Sequence, residues 1–318
     1  MAINRDKPDR WKQDIAASVD MYNAWFLRFA PQTFRATRKQ TTVEVEGALG
    51  ITDNLAKLTP TILRQHPEVL PTLRMATCPP VAVDRLIGLA GVKPGLVKSI
   101  ENDGKLPARM GDDELGGQLT AICRVLRKLL DKDIFVWLGR QQGPTEAEVY
   151  RAATIVADRL CGAVANPIIR NAQEQRQLKA IGMWLERRGY KRVRVGGETR
   201  FDTLPAGSFA VHVNVPVRLK DAGKGVNIPA DVVIIPKSPG EPPLLIEAKS
   251  AGDFANVNKR RKEEAMKMSL LRQTYGDGVR YGLFLCGYFD SGYLGYEAAE
   301  GIDWVWEHRI DELEQFGL

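Results

Sequence analysis

Two acidic residues and one lysine stand on two neighbouring predicted strands. Asp231 opens the segment ADVVIIP, and Glu247 and Lys249 stand near the end of PLLIEAK, with fifteen residues between Asp231 and Glu247. Residues i and i+2 of a strand point to the same face, so Glu247 and Lys249 should lie side by side, and Asp231 can join them if the strands pair. Two crowded carboxylates repel unless a cation lies between them. The pattern therefore predicts a Mg²⁺ site, with Lys249 orienting or helping to deprotonate a water, or neutralising charge on a phosphate.

The triplet needs support from its surroundings, because all three residue types are common and a Glu–Lys pair at a sheet edge is usually solvated. The run PLLI predicts a buried strand, so the charges should appear where that strand leaves the core. Glu174 lies one turn before Leu178 on the apolar stripe of the preceding helix. A carboxylate in that position needs a partner. Either a salt bridge or a supporting role at the metal site would supply one, and we expect the secondary role.

Positive charge is concentrated in two segments. The chain has 45 Lys and Arg against 39 Asp and Glu, a net charge of +6. Residues 170–200 contain nine basic and three acidic residues, so this segment alone has a net charge of +6, equal to that of the whole chain. A second cluster follows the Glu-x-Lys strand, formed by Lys259, Arg260, Arg261 and Lys262. A charge run is often only a solvated helix face, but this position favours contacts with phosphates, which fix a protein on nucleic acid without reading its sequence.

Helices that position these residues are predicted in the first 190 residues. Apolar spacings of three and four and the capping signals place them over 11–29, 115–129, 145 to about 164, and 167–189. Pro31 is expected to end the first helix. Thr145 and Glu148 have the spacing of a capping box, and Pro167 has the favourable first-turn position of the last helix.

Strands are predicted after Gly189. The segments are YKRVRV (190–195), FAVHVNV (209–215), ADVVIIP (230–236), PLLIEAK (243–249) and VRYGLFLCG (279–287). A charged helix over about 258–275 separates the last two strands, and a short helix with Ile310 and Leu313 should end the chain. The fold class is therefore α+β or α/β, with a helical region over 1–150 and a mixed-sheet core over 165–318.

Residues 80–102 have the pattern of a helix-turn-helix. Ile87, Gly91 and Val97 take the positions of the first-helix contact, the turn and the second-helix anchor of that motif. Similar helix pairs also occur in proteins that do not bind DNA. Whether this segment touches DNA therefore stays open at this point.

Several other classes of protein are disfavoured. No run of about 18 apolar residues predicts a membrane span, and the charged first residues do not form a secretory signal. The four cysteines are far apart, which disfavours a disulfide framework and predicts a reducing cytoplasm. GxxxxGK[ST], GxSxG and HExxH motifs are absent from the sequence. His66, His212 and His308 are isolated in the sequence, which argues against histidine-based metal or triad chemistry.

With these residues identified, the chain resembles the type II restriction endonucleases of the SalI/XamI kind, within the PD-(D/E)xK nuclease group. The resemblance covers most of the chain. It is seen in DKPDRW, YNAWFL, TLRMATCPPVAVDRLIGLA, ADRLCGAVANPIIRNAQEQRQL, LLIEAKSAGDFANVNKRRKEEA and LFLCGYFDSGYLGYEAAEGIDWVWEHRID. These long segments are specific, whereas the D…ExK triplet alone is not.

The resemblance implies Asp231 and Glu247 as metal ligands and Lys249 as the catalytic lysine. Ala230 stands where the name of the group would put proline, and Pro229 is one position earlier. The resemblance also implies Mg²⁺ dependence, a bacterial host, a cognate DNA methyltransferase and the palindrome GTCGAC. One site per chain and a palindromic target together predict a homodimer on double-stranded DNA.

Three alternative functions remain open at this point. One is another nuclease of the same group, such as a repair or junction-cleaving enzyme. Another is a sequence-specific DNA-binding protein without catalysis, against which the complete Asp231, Glu247 and Lys249 set argues. The third is a helical scaffold protein, which leaves the clustered basic charge unexplained.

Overall fold

The structure is a computed structural model that describes residues 2–196, 201–219, 225–238, 240–255 and 257–318, without the side chains of residues 202 and 257–261. The chain divides into two compact units. One contains the residues up to Phe29 together with Arg170–Leu318, and the other is Ala30–Ile169. The first unit holds every described strand, and the second is helical.

Unit Ala30–Ile169 is built from short and medium helices between parts of two long ones. In chain order its helices are α1 (Pro8–Ile51, from Ala30), α2 (Pro60–Gln65), α3 (Leu70–Met75), α4 (Val83–Ala90), α5 (Pro94–Asp103), α6 (Asp112–Leu129) and α7 (Glu146–Arg187, to Ile169). Leu119, Ile122 and Leu126 of α6 are fully buried, as the predicted apolar stripe requires. Helices α4 and α5 meet at Gly91, whose left-handed φ of 64° makes the turn of the predicted helix pair.

Two expected helix boundaries are wrong. Pro31 does not end the first helix, because α1 continues through it to Ile51, and Pro167 does not begin a new helix, because it lies inside α7. A proline within a helix removes one backbone hydrogen bond, at a cost of about 3 kcal/mol. Burial of residues beyond the proline offsets this cost: Val45 and Leu49 of α1 are buried in the helical core.

A six-stranded mixed sheet forms the centre of the other unit. Its strands are β1 (Lys191–Arg192), β2 (Ser208–Arg218), β3 (Gly225–Ile235), β4 (Leu244–Ala251), β5 (Arg280–Gly287) and β6 (Asp303–Trp306). They lie side by side in chain order. The β2–β3 and β3–β4 pairs are antiparallel, and the β1–β2, β4–β5 and β5–β6 pairs are parallel. This arrangement confirms the predicted combination of a helical region and a mixed sheet.

Both faces of the sheet are covered over β4 and β5. The part of α7 after Ile169 packs on one face, where Ile181, Trp184 and Leu185 are buried with Phe284. Helix α8 (Val257–Tyr275) and helix α9 (Ser291–Ala299) pack on the other face. Side chains on these central strands are therefore removed from solvent, whichever face they point to.

Strand lengths differ from the sequence expectation. Strands β2 and β3 are longer than 209–215 and 230–236, because polar and apolar residues continue to alternate towards the connection between them. Strand β1 contains two residues, and β6 and α9 were not predicted. The expected terminal helix is a 3₁₀ segment, Glu307–Phe316, with Leu313 buried.

Helix α7 also contains a stretch that is long and apolar enough, by composition, to cross a membrane. This finding differs from the sequence-based expectation, but it is weak support for a membrane span because core helices of soluble proteins pass the same test. Asp158 and Arg159 lie in this helix and form ion pairs, with Arg38 at 3.0 Å and with Asp131 at 3.1 Å respectively.

Thr145 and Glu148 form the predicted capping box at the start of α7. The Glu148 carboxylate accepts from the Thr145 N–H at 2.8 Å, and the Glu148 N–H donates to Thr145 Oγ1 at 3.3 Å. The Arg140 guanidinium, together with the Thr145 N–H, lowers the pKa of Glu148 to about 2.

The substitution Thr145→Ala should lower the free energy of unfolding by about 1 kcal/mol, because it leaves an N-terminal amide without its acceptor. Thr154→Ala is the matched control, since Thr154 is an exposed threonine within the same helix. It should change stability by less than about 0.5 kcal/mol. Urea unfolding of the three proteins measures both effects, and equal destabilisation of the two variants would contradict the capping role.

Candidate active site

Asp231 and Glu247 lie on two paired strands, at the end of their common ladder. The β3–β4 ladder ends at the pair Val232–Ile246, and Asp231 and Glu247 are the next residue on each strand. The Asp231 Oδ2 atom accepts a hydrogen bond of 2.8 Å from the Ala248 N–H. The antiparallel pairing thus brings the two acidic residues to neighbouring positions.

The Glu247 carboxylate is held by two lysines through one of its oxygens. Its Oε1 accepts from Lys249 Nζ at 3.0 Å and from Lys267 Nζ of α8 at 2.7 Å. Its Oε2 is buried and has no hydrogen-bond partner among the described residues. Sequence reasoning missed Lys267, although its place on the helix that follows the Glu-x-Lys strand is a signal that could have indicated it.

Lys249 is paired with a second carboxylate below the sheet. Its Nζ lies 3.2 Å from Glu264 Oε1, and the Glu264 side chain is 1% exposed. Strand β4 continues to Ala251, and its burial is complete over Leu244–Glu247 but only partial over Ala248–Ser250. Helix α8 supplies a charge partner to each residue, with Glu264 beside Lys249 and Lys267 beside Glu247.

The pKa values at the site reflect burial and crowded charge. Burial raises the pKa of Asp231 to about 6, and the negative charges of Glu247 and Glu174 act in the same direction. Burial alone would lower the pKa of Lys249, but Glu247 and Glu264 outweigh it and raise that pKa. Lys249 is therefore a charged ammonium at neutral pH.

Glu174 and His212 approach Asp231 from α7 and β2. One ligand atom from each of the three side chains lies within 4.8 Å of the other two, and His212 Nδ1 is 3.8 Å from Glu174 Oε1. The fold thus brings His212, which is isolated in the sequence, close to two carboxylates. The sequence could have indicated this position of His212. If β2 and β3 are assumed to pair as a hairpin, His212 is placed opposite Asp231.

A third buried carboxylate lies behind Lys249. Glu297 of α9 is fully buried. Burial, with the negative charges of Glu264 and Glu300, raises the pKa of Glu297 to about 8. Glu297 is thus largely protonated at neutral pH, which limits the negative charge beneath the site.

The basic residues expected to form surfaces differ in their exposure. Lys262 is exposed on α8, while the side chains of Lys259, Arg260 and Arg261 lie outside the described residues. In segment 170–200, Arg176 is not a free surface cation, because it pairs with Glu307 at 2.9 Å and lies over the Trp25 ring. Lys179 of the same segment is exposed.

A mixed sheet with Asp231 opposite the Glu247-x-Lys249 strand is consistent with the core of a restriction-type nuclease. The family model of the XamI restriction endonucleases matches residues 53–306, and the chain belongs to that family. The Type II restriction enzyme SalI of Streptomyces albus G is 52% identical over 319 residues, covering 99% of each chain. The chain is accordingly a type II restriction endonuclease, a class of DNA-cleaving hydrolases that generally uses divalent metal ions.

One solved structure shows a weaker likeness. Protein VC1899 from Vibrio cholerae is 13% identical, with a TM-score of 0.28, over 90% of this chain and 55% of its own. The chain thus spans about half of that protein. A similarity at this level carries no argument about the site.

The raised pKa of Glu297 predicts how stability depends on pH. The folded protein retains a proton that the unfolded chain releases near pH 4.5, so stability should fall as pH rises from about 4.5 to about 8. This contribution is at most about 1.4 kcal/mol per pH unit. In Glu297→Gln it is absent, so the variant should gain stability over the wild type between pH 5.5 and 8.

Thermal unfolding in EDTA at several pH values measures this difference and removes any contribution of bound metal. Glu186→Gln provides the control, because Glu186 is an exposed glutamate of α7 that does not contribute to the pKa of Glu297. Parallel pH dependences for wild type and Glu297→Gln would show that Glu297 is ionised in the folded state.

Proposed function

We propose that the chain is a Mg²⁺-dependent endonuclease that cuts both strands of a palindromic DNA site, GTCGAC. Asp231 and Glu247 bind the metal ion, Lys249 is the catalytic lysine, and Glu174 is a secondary acidic residue. The observation that carries the proposal is the buried Oε2 of Glu247, which has no hydrogen-bond partner among the described residues. Glu247 and Asp231 are the residues that follow the last β3–β4 pair.

The residues at this position fit a hard divalent cation. An unpartnered buried carboxylate oxygen is costly, and a cation would satisfy it. Burial and the charges of Glu247 and Glu174 disfavour ionised Asp231, and a cation between the carboxylates would reverse that effect. Mg²⁺ is commonly held by one or two carboxylates together with water and phosphate oxygens.

The proposed reaction is hydrolysis of a phosphodiester. A water oxygen forms a bond to phosphorus and loses a proton to solvent, while the bond from phosphorus to one ester oxygen breaks and that leaving oxygen takes up a proton from solvent. A metal ion at such a site polarises the phosphate and lowers the pKa of bound water. Lys249 is held as an ammonium by Glu247 and Glu264, so it donates hydrogen bonds to the water or to a phosphate oxygen. We therefore propose that Lys249 donates hydrogen bonds rather than removing a proton from the water.

Glu247→Gln and Lys249→Met should each lower the rate of plasmid cleavage by on the order of 10²-fold or more, since each removes a group that contacts the reacting atoms. Glu174→Gln should have a smaller effect. Glu263→Gln is the matched control, because Glu263 is exposed on α8 beside the buried Glu264. Cleavage is followed with Mg²⁺ and with EDTA.

Far-ultraviolet circular dichroism and DNA binding in EDTA establish that each variant is folded, because both substitutions leave buried charges without partners. A folded Glu247→Gln or Lys249→Met variant that cuts near the wild-type rate would disprove the assignment. Complete inactivity of folded Glu174→Gln would make Glu174 a primary ligand.

The start of α8 is proposed to contact DNA phosphates through Lys259, Arg260, Arg261 and Lys262. Replacing Arg260 and Arg261 with alanine should weaken binding to specific and random DNA equally. The slope of log K against log salt should fall by about one unit for each arginine–phosphate interaction that the substitutions remove. Binding titrations at several salt concentrations measure the slope, with Arg218→Ala at the exposed end of β2 as the control. An unchanged slope would place these side chains away from DNA.

We also propose different roles for the two regions of the chain. Residues 165–318 form the catalytic core, and the helical region 1–150 serves DNA grip or dimerisation. The helix pair within 80–102 supports a grip on DNA, since α4, Gly91 and α5 have the arrangement of a helix-turn-helix. We also propose that the enzyme acts in the bacterial cytoplasm and that a cognate DNA methyltransferase is its functional partner.

A symmetric homodimer should be the active species. Each chain carries one Asp231–Glu247–Lys249 set, one set serves one phosphodiester, and a two-fold dimer matches a palindrome. Light scattering at assay concentration should give twice the chain mass of 35.4 kDa. Sequencing of the cut ends should give GTCGAC on both strands. A monomer that nicks one strand, or ends without a palindrome, would contradict this prediction.

A further inference from the structure

We propose that His212 supplies an imidazole nitrogen to the metal ion held at Asp231, with Glu174 as a further ligand. This inference rests on the proposed metal site and adds a nitrogen donor to its oxygen ligands. The consequence is a preference for divalent transition metals that an all-carboxylate site would lack.

Strand register places His212 next to Asp231. The β2–β3 ladder pairs Val211 with Val232 and Val213 with Ala230, so His212 lies directly opposite Asp231. Asp231 and Glu247 are the residues that follow the last β3–β4 pair, so His212, Asp231 and Glu247 lie at neighbouring positions in one row across three strands.

The backbone conformation of His212 interrupts the regular alternation of side chains along β2. Its φ of 53° is left-handed, and no other non-glycine residue of the described strands has a positive φ. Ala210 and Val213, three residues apart, both lie in the core on the α8 side of the sheet. A regular strand would place them on opposite faces, so the turn of the chain at His212 breaks the alternation and leaves its imidazole half-exposed.

The cluster has the dimensions and access that an ion requires. The ligand atoms of Glu174, His212 and Asp231 lie within 4.8 Å of one another, which bonds of about 2.0–2.2 Å to one ion can span after small side-chain rotations. Glu174 and His212 are both partly exposed, so their side chains can turn towards an ion. Glu247 Oε2, which has no hydrogen-bond partner among the described residues, is a buried oxygen in the same row.

Mn²⁺ is the probe of choice because its unpaired electrons report nitrogen ligands directly. Electron spin echo envelope modulation of the full chain loaded with Mn²⁺ should show coupling to a ¹⁴N nucleus of imidazole. The chain has three histidines, so the source can be assigned by substitution. His212→Asn removes the imidazole while keeping a residue that accepts a left-handed φ, and His212→Gly is a second such variant. His66→Asn in the helical unit is the matched control.

The expected result is ¹⁴N modulation in the wild type and in His66→Asn, and none in His212→Asn or His212→Gly. Calorimetry should show Mn²⁺ affinity lowered by on the order of tenfold in the His212 variants. Mg²⁺ affinity should change less, because Mg²⁺ favours oxygen ligands. Thermal unfolding in EDTA shows whether each variant is folded.

Four results would overturn the inference. Modulation that persists in a folded His212 variant, or an Mn²⁺ affinity that does not change, excludes His212 as a ligand. Mn²⁺ bound tightly by the wild type without nitrogen coupling leaves the Asp231–Glu247 metal site intact and removes His212 from it. No Mn²⁺ binding at all contradicts both this inference and the proposed metal site.

Discussion

The ammonium group of Lys249 is buried between two carboxylates, and the arrangement of the active site depends on that balance. Glu247 lies 3.0 Å away and Glu264 3.2 Å away, while Lys267 contacts Glu247 from α8. Charges at this depth persist only when they are paired, and removing one partner of a buried pair costs about 3–5 kcal/mol. Helix α8 is therefore part of the site, because it carries both Glu264 and Lys267. Protonated Glu297 completes the balance without adding another negative charge.

The same charge balance leaves one oxygen of Glu247 without a partner. Both lysines contact Oε1 of Glu247, and its Oε2 is buried with no hydrogen-bond partner among the described residues. Asp231 lies beside Glu247 in a row that crosses neighbouring strands. Two antiparallel ladders set that row, and they extend it to His212 on β2. From the opposite face, the buried Gln177 of α7 donates to the backbone carbonyls of Lys249 and Phe284. Strand β4 is thus held from both faces.

The sequence predicted the parts of this arrangement that depend on local pattern. Periodic spacing located α6 and the central strands, and the i, i+2 rule brought Glu247 and Lys249 together. The features that it missed depend on tertiary packing. Burial beyond Pro31 carried α1 through a proline that local preference would make a helix end. Lys267 and Glu264 lie on a separate helix, and only the packing of that helix brings them to the charges of Glu247 and Lys249. His212 is isolated along the chain and meets Asp231 only through the register of a hairpin.

The central claim is that Asp231 and Glu247 together bind a catalytic metal ion. A crystal of the wild-type protein soaked with Mn²⁺ tests it most directly, with the metal located by anomalous scattering. The account predicts an anomalous peak in direct coordination with carboxylate oxygens of both Asp231 and Glu247, and the disappearance of that peak in crystals of Glu247→Gln. A peak that contacts neither residue, with Glu247 still bound to both Lys249 and Lys267, would contradict the account.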